Sequence, residues 1–223
     1  WQYIYFVMQS DKLINYLHLH FIVFIWGFTA VLGDLISIAA VPLVWFRMLL
    51  GSFFVLIYIW FTKGRLKVSL KSLVIFALIG FLIALHWLAF FKAVKVSNVS
   101  ITLAMMSTGA FFTSLLEPIF FKRKIIKYEV VFGLIVIVGL YVIFNVETAY
   151  LTGILFALLS SFLGALFSIF NGMIVKTHDA TIISFYELFF GVIFITIFIF
   201  STDGFNVSFF DLSSTDWIYI LLL

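Results

Sequence analysis

The chain has 223 residues, of which 65% are hydrophobic, 21% aromatic and only 10% charged, with a formal net charge of +3. A soluble domain of this length cannot turn that much apolar surface inward, so lipid must be the solvent for most of the chain. The small, dispersed positive charge argues against nucleic acid as a partner, and the lack of cysteine removes disulfides, thiolate chemistry and cysteine metal sites.

A helix needs about 20 apolar residues to cross the hydrocarbon of a bilayer. The chain opens on Trp1, and Met8 with the polar "QSDK" behind it offers a natural start. No cleavable signal peptide is expected, because the apolar stretch is long and "AVLGDLIS" is no cleavage site. The first span is predicted over 20–36, with His18 and His20 at or before its start and Trp26 inside it. The second covers 41–61 and carries Arg47; the third covers 72–91, carries His86 and Trp87, and is closed by Lys92 and Lys95. The fourth, 99–121, is rich in hydroxyls, with Ser100, Ser107, Thr108 and Ser114 near one stripe, and ends on Glu117-Pro118. Pro118 is expected to kink it, and Glu117 to pair with a neighbouring Lys122 or Lys124. The fifth, sixth and seventh cover 128–144, 151–174 and 182–200, the last holding Glu187. An eighth begins near Trp217 and stops within "DWIYILLL", which predicts a C-terminally truncated chain. Runs this long that do not alternate read as helices rather than barrel strands.

Basic residues set the orientation. Lys12, the loop with Lys63, Arg65, Lys67 and Lys71, the loop with Lys122, Arg123, Lys124 and Lys127, and Lys176 all fall on one side. Lys92, Lys95, Asp34, Glu147, Asp203, Asp211 and Asp216 fall on the other, so the N-terminus is expected in the cytoplasm.

The chain also repeats itself. "WFRMLLGSFFVLI" (45–57) aligns with "FYELFFGVIFITI" (185–197) at a constant offset, matching Gly51 to Gly191 and placing Arg47 on Glu187. "FIWGFTA" (24–30) resembles "FLGALFS" (162–168) one helix earlier in each copy. The second span then equals the seventh, the unit is five helices, and an odd unit enters the membrane inverted on its second pass. Inverted repeats recur in secondary transporters.

These features resemble the EamA type of the drug/metabolite transporter superfamily, over about residue 21 to the C-terminal end. The carriers are Trp26-Gly27 in the first span, Arg47 followed by Gly51 in the second, and the stretch "LHWLAFFKAVKVSNVSITLAMMSTGAFFTSLLEPIFFKRKI" (85–125). Where the family usually has a proline midway down the fourth helix, this chain has Thr108-Gly109. The resemblance implies an all-α integral membrane protein of two inverted five-helix repeats. Here these would be a first repeat at 13–147 and a truncated second at 150–223, giving about seven complete spans and the start of an eighth. It also implies a central cavity and alternating access.

Charges inside a membrane are rare and tend to face an interior. Arg47 and Glu187 are therefore the first candidates for a solute cavity, either as a salt bridge or as separate substrate and coupling groups. His86, level with Arg47, is the third, with a histidine satisfied by a backbone carbonyl as the plainer reading. Ser107, Thr108 and Trp26 complete the candidate set. No metal-ligand spacing, cofactor motif or ATP-binding loop is found, so the energy source would be a gradient, with protons as a candidate coupling ion. The expected function is a secondary transporter of the cytoplasmic membrane moving a small metabolite or drug-like solute, with no catalytic role. Substrate and oligomeric state are not legible. A seven-helix receptor is disfavoured by the repeat, and an intramembrane enzyme by the lack of aspartates inside any span.

Overall fold

The computed structural model describes the backbone of residues 2–146, 148–202 and 204–223, and their side chains except at 2–12, 143–146, 148 and 208. Lys12, Glu147 and Asp203, used above for orientation, lie outside the described side chains. Among the described residues the regular structure is entirely helical: α1 (Gln2–Leu35), α2 (Ala40–Phe61), α3 (Leu70–Val96), α4 (Val99–Met106), α5 (Gly109–Phe121), α6 (Lys127–Val146), α7 (Leu151–Ile174), α8 (Ala180–Ser201) and α9 (Ser214–Leu222), with short 3₁₀ turns at Thr148–Tyr150 and Val207–Phe209. Six stretches are long and apolar enough to cross a membrane: Leu13–Leu35, Ala40–Phe61, Leu70–Val96, Val99–Phe121, Leu151–Ile174 and Ala180–Ser201. Helix α6 occupies the position expected for the fifth span.

Two expectations need correction. Helix α1 starts far upstream of residue 20, so His18 and His20 sit well inside it, both exposed. The polar "QSDK" does not interrupt it, because no proline or glycine occurs there and polar residues cost a helix only fractions of a kcal/mol each. The span at 99–121 is broken in two. The Ser107 and Thr108 N–H groups bond three residues back, to Ala104 O (3.2 Å) and Met105 O (3.1 Å), a tightened turn. Both hydroxyls bond those same carbonyls, Ser107 at 2.6 Å and Thr108 at 2.7 Å. Short hydroxyl side chains compete with the helix ladder in this way.

Helix α3 is the hub. It packs on α7 and α8, while α2 packs on α8, α4 and α5 pack on α7, and α9 packs on α1 and α2. The α3–α8 contact is close because glycines remove the side chains: a Cβ on Gly80 would lie 2.5 Å from the Glu187 carbonyl oxygen. One on Gly191 would collide with the Met48 methyl and lie 3.3 Å from the Gly80 carbonyl oxygen. Small residues permit such backbone approach in membrane bundles, where dispersion replaces the hydrophobic effect between helices. Leu43, Val44, Met48, Ile83, Phe91 and Ile195 fill the core around this contact.

Polar ties close both ends of the bundle. At the end holding the α2–α3 loop, Ser69 caps α3 and accepts from Ser72 N–H (3.1 Å), and the Ser72 hydroxyl bonds His178 Nε2 (2.9 Å) in the α7–α8 turn. Tyr186 O–H adds a bond to the Leu66 carbonyl (2.7 Å). At the opposite end Ser213 caps α9 and accepts from Asp216 N–H (3.0 Å). The Asp216 carboxylate accepts from Ser37 N–H (2.7 Å) and Ser37 O–H (2.8 Å) in the α1–α2 loop. Lys95 reaches the same loop and donates to the carbonyls of Asp34 and Ile36 at the C-terminal end of α1.

Candidate solute cavity

Arg47 lies seven residues into α2, about 10 Å below the helix start at 1.5 Å per residue. Its guanidinium carbon sits 3.9 Å over the Trp87 ring of α3 and 5.6 Å from the Phe91 ring. A guanidinium over an aromatic face is attracted by the ring quadrupole, more so when desolvated. The paired alternative raised above is not adopted: the ion pairs among the described residues involve Arg123, and neither Arg47 nor Glu187 takes part. Beside Arg47 lies a cavity of about 190 Å³ walled by α2 (Leu50, Gly51, Phe54), by Trp87 of α3, by Leu188 of α8 and by the end of α9 (Ile220, Leu221, Leu223). Arg47 is the sole charged residue in that lining.

Glu187 occupies the mirror depth, about two turns into α8 from the other end, and is only 3% exposed. Asn171 of α7 donates from Nδ2 to its Oε2 (3.1 Å). The other carboxylate oxygen, Oε1, and Asn171 Oδ1 are both buried without a donor. Two bare acceptors on neighbouring side chains are costly in a dry interior.

His86 takes the plainer role. Its Nδ1–H donates to the Ser160 carbonyl of α7 (2.7 Å), and the Ser160 hydroxyl donates back to the His86 carbonyl (3.0 Å). The ring packs over Gly164, where a Cβ would lie 3.2 Å from His86 Cε1. Thr108, 3% exposed, donates to the Ser161 hydroxyl (2.9 Å), which itself reaches the Met106 carbonyl (3.2 Å) freed by the break in the span. Trp45 donates from Nε1 to Thr196 Oγ1 (2.9 Å) across α2 and α8.

The structure thus brings Arg47 to a cavity, ties His86 and Thr108 to α7, and leaves Ser107 and Trp26 apart from them. Ser107 is exposed on the outside of the broken span, and Trp26 is 67% exposed on α1. Glu117 does form an ion pair at its end of α5, with Arg123 (2.8 Å) rather than with a lysine. Arg123 also lies 3.7 Å from Glu129. Four polar residues outside the candidate set take part: Ser160, Ser161 and Asn171 of α7, whose sequence reading is packing, and Asp216, whose sequence reading is only an orienting charge. For the first three the signal was depth, since each is polar and bonds a candidate on a facing helix.

The Asp216 carboxyl, at the cap of α9 and outside the six spans, is held at about 2. Burial alone would push it up, but the Ser213 hydroxyl, the Ser37 N–H and hydroxyl and the Ser213 N–H together outweigh that.

A bundle with six helical stretches of membrane length, holding an arginine and a buried carboxylate at opposite depths, defines a polytopic membrane protein. The profile of the EamA-like transporter family matches residues 14–145, and the chain belongs to that family, part of the drug/metabolite transporter superfamily. No curated protein and no solved structure gives a significant match to the chain.

Proposed function

We propose that the chain moves a small solute across the cytoplasmic membrane by alternating access between two inverted copies, 13–147 and 150–223, with its N-terminus in the cytoplasm. The observation that carries this reading is the pair of end ties. Each joins a serine N-cap and the third residue of the helix it caps, in one copy, to the loop between the first two helices of the other copy. Ser69, Ser72 and His178 form one, and Ser213, Asp216 and Ser37 the other, at opposite ends of the bundle. Two of the helix contacts support the same exchange. Exchanging α1 with α7, α2 with α8 and α3 with α9 turns the α3–α7 and α3–α8 contacts into the α9–α1 and α9–α2 contacts. Two equivalent latches on opposite faces are what a device needs that opens one side while the other is shut.

Glu187 is the residue we assign to the coupling proton, because a proton on its carboxyl supplies a donor where Oε1 and Asn171 Oδ1 lack one. The test is flux in vesicles reconstituted with the protein, using a panel of labelled amino acids and small metabolites. A proton gradient should drive uptake by the wild type. Glu187→Gln should keep solute counterflow and lose the response to the gradient. A Glu187→Gln protein that still concentrates solute on a proton gradient would remove the coupling role.

A further inference from the structure

We infer that Asn171 reads the coupling proton: when Glu187 carries it, the two side chains close into a pair held by two hydrogen bonds, and when it leaves, one bond remains. The inference rests on the coupling role given to Glu187 above and adds the positioning residue that turns that proton into a change of helix contact. It follows from matching the atoms of two planar groups. Asn171 Nδ2–H donates to Glu187 Oε2 at 3.1 Å, so one polar atom of the amide is already in register with one of the carboxylate. The remaining atoms, Oε1 and Oδ1, are both acceptors, both buried, and neither receives a bond from any described residue. With Glu187 ionised, no donor exists for either oxygen, and two bare acceptors on joined side chains oppose the bond between them. A proton on Oε1 makes that oxygen a donor, and Oδ1 is the bare acceptor on the same partner. The second bond, from acid O–H to amide carbonyl, spans about 2.7 Å once formed.

The ionisable groups on the elements around α8 are engaged elsewhere or stand at the helix ends. Arg47 of α2 lies over Trp87. On α3, His86 bonds Ser160, Lys95 donates to the carbonyls of Asp34 and Ile36, and Lys71 and Lys92 are exposed near its two ends. Helix α7 carries no ionisable residue. On α8 itself Tyr186 donates to the Leu66 carbonyl, and Asp179 caps the helix start by accepting from Thr181 N–H. Helix α3 meets Glu187 at Gly80, which has no side chain to offer a donor.

Asn171 is also placed to pass the change on. It stands in the last turn of α7, and its carbonyl accepts the Val175 N–H (3.0 Å) that ends the helix. The turn behind it carries His178, whose Nε2 bonds the Ser72 hydroxyl in one of the two end ties. A pair that closes or opens at Asn171 therefore acts on the helix end to which that tie is fastened.

The test is infrared difference spectroscopy, acid minus neutral, on the full chain in phosphatidylcholine vesicles, with solute flux measured on the same vesicles. Wild type should give a carboxylic acid C=O band that Glu187→Gln removes, at the lowered frequency of a hydrogen-bonded acid. Asn171→Leu should keep that band but move it to the frequency of an unbonded acid. Its proton-driven uptake should fall at least about tenfold further than its counterflow, the scale of one hydrogen bond to an ionisable group. Asn171→Asp, which restores an acceptor oxygen, should return the low frequency and part of the drive. A second measurement needs no change at Asn171. In wild type labelled with ¹³C at the asparagine side-chain carbonyls, one amide band should shift together with the acid band, and Glu187→Gln should hold it still. An acid band at one frequency in wild type and Asn171→Leu, a labelled amide that does not respond, or full proton drive in Asn171→Leu would overturn the assignment and leave Glu187 its coupling role. Absence of any band that Glu187→Gln removes would overturn both. Loss of the band when sodium is added at fixed acid pH would put a metal cation rather than a proton between the two oxygens, and would overturn the assignment as well.

Discussion

Replacing Gly80 by alanine should loosen the bundle at its most intimate contact. Alanine favours a helix over glycine by about 1 kcal/mol, so an unconstrained Gly→Ala change is stabilising. At Gly80 the added Cβ would meet the Glu187 carbonyl oxygen at 2.5 Å, where ordinary contact begins at 3.4 Å. The obstacle is backbone and cannot rotate away, so α3 and α8 must part by about 1 Å, which forfeits up to about half of the dispersion energy of each contact in register. Overpacking of this kind costs about 1–3 kcal/mol, leaving a net loss of up to about 2 kcal/mol after the helix gain. For a chain of this size that is a fall of up to roughly 8 °C in unfolding temperature. Gly27 is the control, because nothing lies within 4 Å of a Cβ there. Gly191 should fall between the two, since its first obstacle is the flexible end of Met48. Thermal unfolding of the purified variants in one detergent orders the three. A Gly80→Ala protein as stable as Gly27→Ala would refute the close α3–α8 approach.

Three further outcomes follow from the geometry. Acid should weaken the Asp216 tie late: its folded carboxyl sits near 2, below the ordinary 3.8, so its stabilisation is full above pH 4 and lost as pH falls through about 2. Thermal scans between pH 5 and pH 2 should show wild type losing more than Asp216→Asn, and equal losses would count against the tie. Thr108→Val should cost about 1 kcal/mol by stripping the donor from Ser161, whereas Ser107→Ala, at an exposed position, should stay within about 0.5 kcal/mol in the same scans. Glu117→Gln should change stability by less than about 1 kcal/mol despite two ion-pair contacts on Arg123, because both partners are about one-third exposed. A larger loss in a denaturation series would mean the cluster is shielded from solvent.

Hydropathy alone located the helices well, because in a membrane protein the apolar run and the element nearly coincide. The sixth span, 151–174, is reproduced by α7 residue for residue, and the second differs from α2 by one. Hydropathy misjudged α1, since "QSDK" marks where lipid ends rather than where the helix ends. It also missed the break at Ser107-Thr108, which is made by hydroxyls bonding their own backbone and leaves no trace in apolarity. The site was half legible. Arg47 and Glu187 announce themselves as charges within spans, and sequence gives their depth. It does not give the rotation of each helix about its axis. Trp87 as the cover of Arg47 and Asn171 as the partner of Glu187 therefore emerged only from the packed bundle. The depths left an Arg47–Glu187 bridge open, since two extended side chains could partly close the gap. Each sits about 10 Å from an opposite end of a core about 30 Å thick, leaving about 10 Å between them.

The central claim is that the two end ties are opposed gates. The chain contains no cysteine, so a single Leu50→Cys on the wall of the Arg47 cavity reports alone. Its rate of modification by a membrane-impermeant thiol reagent added outside the cell is the measurement. The account predicts that Asp216→Ala, which releases the Ser37 loop, raises that rate, and that Ser72→Ala with His178→Ala, which releases the opposite end, lowers it. Two changes in the same direction, or none in either variant, would contradict alternating access through these latches.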